Sequence, residues 1–159
     1  MPIVELTDIP ALVSDGGTLL GLDLGTKTIG VSASDREWRF AHPRPVIARK
    51  KFRDDLAKLT ALIEAERAEG LVLGLPLHLD GGMSPRAQAA KAFARNVLRE
   101  RDLPISFWDE RMSTLAAERA LLEMDVSRRN RAGRIDSAAA AFILQGALDR
   151  LASLGTKGS

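Results

Sequence analysis

Two apolar runs, Thr18–Leu22 and Ile29–Val31, flank the polar turn Leu24-Gly25-Thr26-Lys27-Thr28 and predict strands over Leu19–Asp23 and Ile29–Ser34, paired as an antiparallel hairpin. Pro45-Val46-Ile47-Ala48 predicts a short third strand. From Phe52, apolar residues recur at Leu56, Leu59 and Ile63, the stripe of a helix with one buried face, which Gly70 is expected to end. Leu71-Val72-Leu73-Gly74-Leu75 then lacks alternation, as a strand covered on both faces does. Ser84-Pro85 supplies an N-cap and a first-turn proline for a helix whose inner side carries Ala87, Ala90, Ala94 and Val97. A strand over Pro104–Trp108 follows, then helices over about Ser113–Met124 and Arg134–Leu151.

The resulting order, β-β-β-α-β-α-β-α-α, implies an α/β fold. Its five-stranded mixed sheet has the antiparallel hairpin on one side, parallel crossover strands on the other, and helices on both faces. Residues 1–17 are expected to form an N-terminal extension, 18–152 a single domain, and 153–159 a flexible tail. The 159 residues suffice for one core, and 45% hydrophobic with 28% charged residues is a globular composition. The absence of cysteine excludes a disulfide framework and a thiolate metal site and agrees with a reducing compartment. No signal-peptide pattern opens the chain and no apolar run spans a bilayer, so the expected location is cytoplasmic.

Ligands of such sheets bind outside the carboxyl ends of the strands. Asp23 ends the first strand, where a buried, unpaired carboxylate would cost several kcal/mol, so either a cation or a dense set of donors belongs beside it, or it merely orders the turn. Asp109 and Glu110 follow the fifth strand, and alternation sends them to opposite faces. Asp136 stands in the opening turn of the last helix, where the helix dipole alone would favour an acid. Taken together, Asp23, Glu110 and Asp136 are the donors that Mg2+ or Mn2+ prefers, and clustered carboxylates imply a cation. Between the last two helices, Arg128, Arg129, Arg131 and Arg134 surround a flexible centre and suit phosphate contacts. Aromatic residues are only 4% of the chain, so recognition is expected to read backbone and shape.

Four blocks carry a resemblance. They are Gly21-Leu22-Asp23-Leu24-Gly25-Thr26-Lys27-Thr28-Ile29-Gly30-Val31; Gly74-Leu75-Pro76-Leu77 with Asp80-Gly81; Asp109-Glu110-Arg111-Met112-Ser113-Thr114; and Ile135-Asp136-Ser137-Ala138-Ala139 with Ile143-Leu144-Gln145-Gly146. In this order, over about Leu19–Leu151, the chain resembles the YqgF/RuvX family, RNase H-like proteins related to the resolvase RuvC. The resemblance implies an RNase H-like fold and a nuclease for the 5′ end of pre-16S rRNA, with a Holliday junction resolvase-like DNA nuclease as the alternative. It matches Asp23, Glu110 and Asp136 to the family's acids, with Asp109 open as the alternative to Glu110. His78 stands where the family usually has Asn, and Met112-Ser113 where Leu-Thr is usual.

The mechanism these residues suggest is phosphodiester hydrolysis with two ions, Mg2+ or Mn2+, held by Asp23, Glu110 and Asp136. Thr26, Lys27 and Thr28 would contact substrate phosphate or simply fill a polar turn. Arg111 would pair with Asp109 or bind phosphate, and the structural pair is favoured. The expected partner is nucleic acid, either pre-rRNA or branched or single-stranded DNA, without a membrane, and a homodimer is left open. Two rivals remain: an ATPase of the actin and Hsp70 kind, whose phosphate hairpin resembles Asp23-Leu24-Gly25-Thr26-Lys27, and a non-catalytic nucleic-acid-binding or transcription-associated module. The chain has room for one such domain where those ATPases close two around the nucleotide.

Overall fold

The computed structural model describes residues 3–112 and 137–155. Its sheet has the order β3-β2-β1-β4-β5, with β1 Thr18–Leu24, β2 Thr28–Ser34, β3 Ala41–Ala48, β4 Ala68–Leu75 and β5 Ile105–Asp109. β2 runs antiparallel to β1 and β3, whereas β4 runs parallel to β1 and β5. This is the mixed sheet expected from the alternation of patterns. The helices are α1 Ile9–Leu12, α2 Phe52–Glu66, α3 Pro85–Glu100 and α4 Ala138–Ser153. The helix expected over Ser113–Met124 and the start expected for the last helix at Arg134 lie outside the described residues. None of the described helices is long and apolar enough to cross a membrane.

Two cores lie on opposite faces of the sheet. Leu20, Leu22 and Leu24 of β1 share one with Leu71, Leu73 and Leu75 of β4, beneath Leu59 and Ile63 of α2 and Ala90, Phe93 and Ala94 of α3. Leu19 and Val72 point the other way, to Ile143, Leu144, Ala147 and Leu148 of α4. The central strands are therefore apolar without alternation because both faces are covered. The strands beneath α4 present small residues to it, Gly21, Gly30, Ser32 and Gly74. A Cβ on Gly21 would stand 2.6 Å from Leu144 Cβ, so glycine there lets the helix lie directly on the strand.

Some segments differ from expectation. Helix α2 ends at Glu66 rather than at Gly70, because Arg67 takes the left-handed capping conformation (φ 55°) and Ala68 already pairs with Thr18. Strand β3 begins at Ala41 and includes Pro43 and Pro45, which an edge strand tolerates since one side of it needs no donors. Residues 3–17 hold more structure than an extension would suggest. Ile3 bridges Ile105 along the free edge of β5, Val4 N donates to Ile105 O (2.9 Å), and Ile9 and Val13 are buried in the α4-side core.

Candidate functional site

The C-terminal ends of β1, β4 and β5 lie side by side. Strand β1 delivers Asp23, whose cross-strand partner is Gly30; a Cβ on Gly30 would meet both Asp23 Cβ (3.4 Å) and Ala140 Cβ (3.5 Å). Asp23 thus faces α4. Beyond the pairing of Leu22 with Leu73, the next position on β4 is Gly74. A Cβ there would stand 2.9 Å from Glu110 Oε2 and 2.5 Å from Ile143 Cδ1. The Glu110 carboxylate therefore lies over Gly74 on the same face as Asp23, with one strand spacing of about 4.8 Å between their supporting strands. Glu110 is buried and follows β5 in a single 3-10 turn, Glu110–Met112.

Asp109 goes elsewhere. It pairs with Leu75 in register, on the opposite face, and its carboxylate accepts from Arg111 N (3.0 Å) and Arg111 Nη2 (2.7 Å). The side-chain bond from Arg111 holds the Asp109 carboxyl below its ordinary value of 3.8, against the opposing effect of burial. Arg111 Nη1 also donates to Leu79 O, at the long distance of 3.4 Å, which ties the loop after β4 to the end of β5. The geometry thus engages Arg111 in the pair the sequence favoured. In that loop His78 and Leu79 are exposed, and Gly81 adopts a positive φ of 90° in the turn closed by Gly81 N to His78 O.

The β1–β2 turn is closed by Gly25 N donating to Thr28 O (2.9 Å), and Thr26 and Lys27 are exposed at its tip. Two arginines that the sequence reading did not select brace its surroundings. Arg49 Nη1 donates to Gly25 O (2.8 Å) and its Nε lies 3.8 Å from the buried Asp55. Arg86, in the first turn of α3, places Nη2 3.3 Å from both Asp23 Oδ1 and Leu24 O. The one sequence signal for Arg86 was the Ser84-Pro85 start, which fixes it in a first helical turn directly after the loop from β4.

Asp136, Arg128, Arg129, Arg131 and Arg134 lie outside the described residues. Ser137, next in the chain, is buried between β2 and β3, accepting from Val31 N (2.9 Å) and donating to Arg44 O (2.6 Å). Among the described residues no group of three or more His, Asp or Glu gathers closely enough to hold a metal. The described pair nevertheless suits a hard cation. Two carboxylates share one partly buried face, and glycine at position 74 keeps clear the space a Cβ would take from Glu110.

A mixed sheet of this order, with acids at adjoining strand ends beneath a C-terminal helix, has the architecture of the RNase H-like nucleases. The fold is shared with T. thermophilus RuvC in complex with a Holliday junction substrate (TM-score 0.56, 16% identity, 89% of this chain and 98% of that one). A second T. thermophilus RuvC structure matches with a TM-score of 0.51 at 16% identity, covering 88% of this chain and 98% of that one. The family model "RuvX: Holliday junction resolvase" matches residues 17–150, and the chain belongs to that family. A Mesorhizobium japonicum relative named "Putative pre-16S rRNA nuclease" is 62% identical over 146 residues, covering 92% of this chain and 88% of its own. A Brucella anthropi relative of the same name is 58% identical over 154 residues, covering 97% and 93%.

Proposed function

We propose that the protein hydrolyses phosphodiester bonds of nucleic acid with divalent metal ions, and that its substrate is the 5′ leader of pre-16S rRNA in the cytoplasm. The observation that carries the chemistry is the placement of Glu110 over Gly74, on the face and beside the strand that present Asp23. Asp23 and Glu110 would hold the ions, Mg2+ or Mn2+, with Asp136 as the third acid supplied by the family resemblance. Two ions held there would supply an activated water and stabilise the leaving oxygen. The chain's own work is positional. Asp23 is fixed by the β1 ladder, and Glu110 is held by burial in its 3-10 turn. Asp109 is withdrawn from the site by Arg111, which anchors the loop after β4. Thr26 and Lys27 at the hairpin tip, with the arginines from 128 to 134, would track the phosphate backbone.

The RNA substrate rests on the names of the two relatives, and the family description favours a second reading, a branched-DNA nuclease, for which a homodimer would offer two such sites. The test incubates the chain with pre-16S leader RNA, single strands and branched DNA in Mg2+ or Mn2+, beside Asp23→Asn, Glu110→Gln and Asp136→Asn. Cutting of the leader RNA that is lost in all three variants, with binding kept, is the expected result. Undiminished cutting by Asp23→Asn overturns the mechanism, and cutting confined to branched DNA overturns the substrate.

A further inference from the structure

Arg86 is a cation in contact with the acid that a metal ion would need. Its root is firmly set. Ser84 Oγ caps α3 by accepting from Ala87 N (3.0 Å) and donates to Pro76 O at the end of β4, and Pro85 occupies the first turn. Its far end is loosely held, by two contacts of 3.3 Å from a single Nη2, with 44% of the side chain exposed. Long, solvent-facing ion pairs of this kind are weak and readily exchanged. The other two arginines described around the site are more closely engaged, Arg111 by Asp109 and Arg49 by Gly25 O beside Asp55.

We infer that Arg86 is a phosphate-positioning residue parked on Asp23: a divalent ion displaces its guanidinium from the carboxylate, and the released guanidinium then takes a non-bridging oxygen of the substrate phosphate. The inference rests on the metal-dependent reading of Asp23. Charge makes the two steps one. A cation arriving at Asp23 Oδ1 repels the guanidinium beside it, and a phosphodiester drawn to the same ion brings a new anion within reach of a side chain that already spans to that carboxylate. Arginine suits the exchange because its planar fork matches both carboxylate and phosphate.

The test titrates the full chain with MnCl2 by calorimetry, without nucleic acid, in the parent, R86Q, D23N and K27Q. Removal of the competing guanidinium should tighten Mn2+ binding about three- to tenfold in R86Q. K27Q, which removes a charge from the turn four residues from Asp23 and leaves Arg86 in place, should shift it by less than about twofold. D23N should lose the site. With Ca2+ replacing Mn2+ to hold cleavage off, R86Q should bind single-stranded RNA about three- to tenfold more weakly, its salt slope reduced by about one phosphate. Unchanged or weakened Mn2+ affinity in R86Q, an equal gain in K27Q, or unchanged RNA affinity in R86Q overturns the inference while leaving the metal site standing. A parent chain with no saturable Mn2+ site defeats the metal-dependent reading itself.

Discussion

Glu110 Oε2 lies 2.9 Å from the point where Gly74 would carry a Cβ, so the absence of a side chain on β4 makes the room in which an acid from β5 approaches an acid on β1. Gly74→Ala should therefore act on the site more than on the fold. The new methyl meets the flexible ends of Glu110 and Ile143, an overpacking that costs about 1–3 kcal/mol. Displacing Glu110 should weaken Mn2+ binding on the order of tenfold. Calorimetric titration alongside thermal unfolding separates the two, and a variant that loses stability but keeps its Mn2+ affinity would show that Glu110 is not a ligand.

The adjacent acids Asp109 and Glu110 should respond to substitution in opposite ways. Glu110→Gln should abolish metal-dependent cutting with little change in folding. Asp109→Asn should leave cutting measurable and loosen the Arg111 tie to the loop at Leu79. The pH dependence has a defined sign. The Asp109 carboxyl is held below 3.8 in the folded chain, so its contribution is present above the unfolded value and is lost as pH falls through the folded one. Asp109→Asn lacks that component, and its melting temperature should fall less steeply than the parent's as pH drops below about 4. Parallel acid slopes for the two proteins would contradict the pairing.

Much of this arrangement was legible in the residues, for local reasons. The uninterrupted apolar runs of β1 and β4 reflect burial on both faces, and the alanine-rich stretch from Ala138 to Leu144 reflects close contact with Gly21 and Gly74. Alternation alone sent Asp109 and Glu110 to opposite faces. Which of them meets Asp23 depends on the register linking β1, β4 and β5, a nonlocal property. Arg86 and Arg49 escaped notice because a charged residue near a helix start reads as solvated until the fold brings another strand end beside it. Ile9 and Val13, four residues apart, are too few to form a pattern, and only tertiary packing shows them to be core.

Ser137 joins the edge of the sheet to the start of α4. Its hydroxyl accepts from Val31 N where the β2–β3 register shifts, and donates to Arg44 O across the gap. Ser137→Ala leaves a buried backbone donor without its acceptor, which costs about 1–3 kcal/mol. For a chain of this size the melting temperature should drop by roughly 3–10 °C. Hydrogen exchange at the Val31 amide should accelerate with it. An unchanged Val31 exchange rate would mean that the bond contributes nothing to holding this end of the helix.

Residues 3–13 should prove part of the folded domain. Ile9 is fully buried and Val13 nearly so, both packed in the α4-side core with Leu19, Trp38 and Leu148. Burial of two such side chains stabilises by about 3–6 kcal/mol, a large share of a domain's usual margin. The segment also covers the edge of β5, through Val4 N to Ile105 O, which would otherwise offer unpaired backbone to another chain. Deletion of residues 1–13 should therefore lower the melting temperature by 10 °C or more, on the order of the loss expected from that burial, and promote self-association visible by light scattering. The point variant Ile9→Ala should cost about 2–5 kcal/mol without uncovering the strand edge, so it should destabilise without aggregation in the native range. A deletion variant that melts with the parent and scatters light as the parent does would return these residues to the status of an appendage.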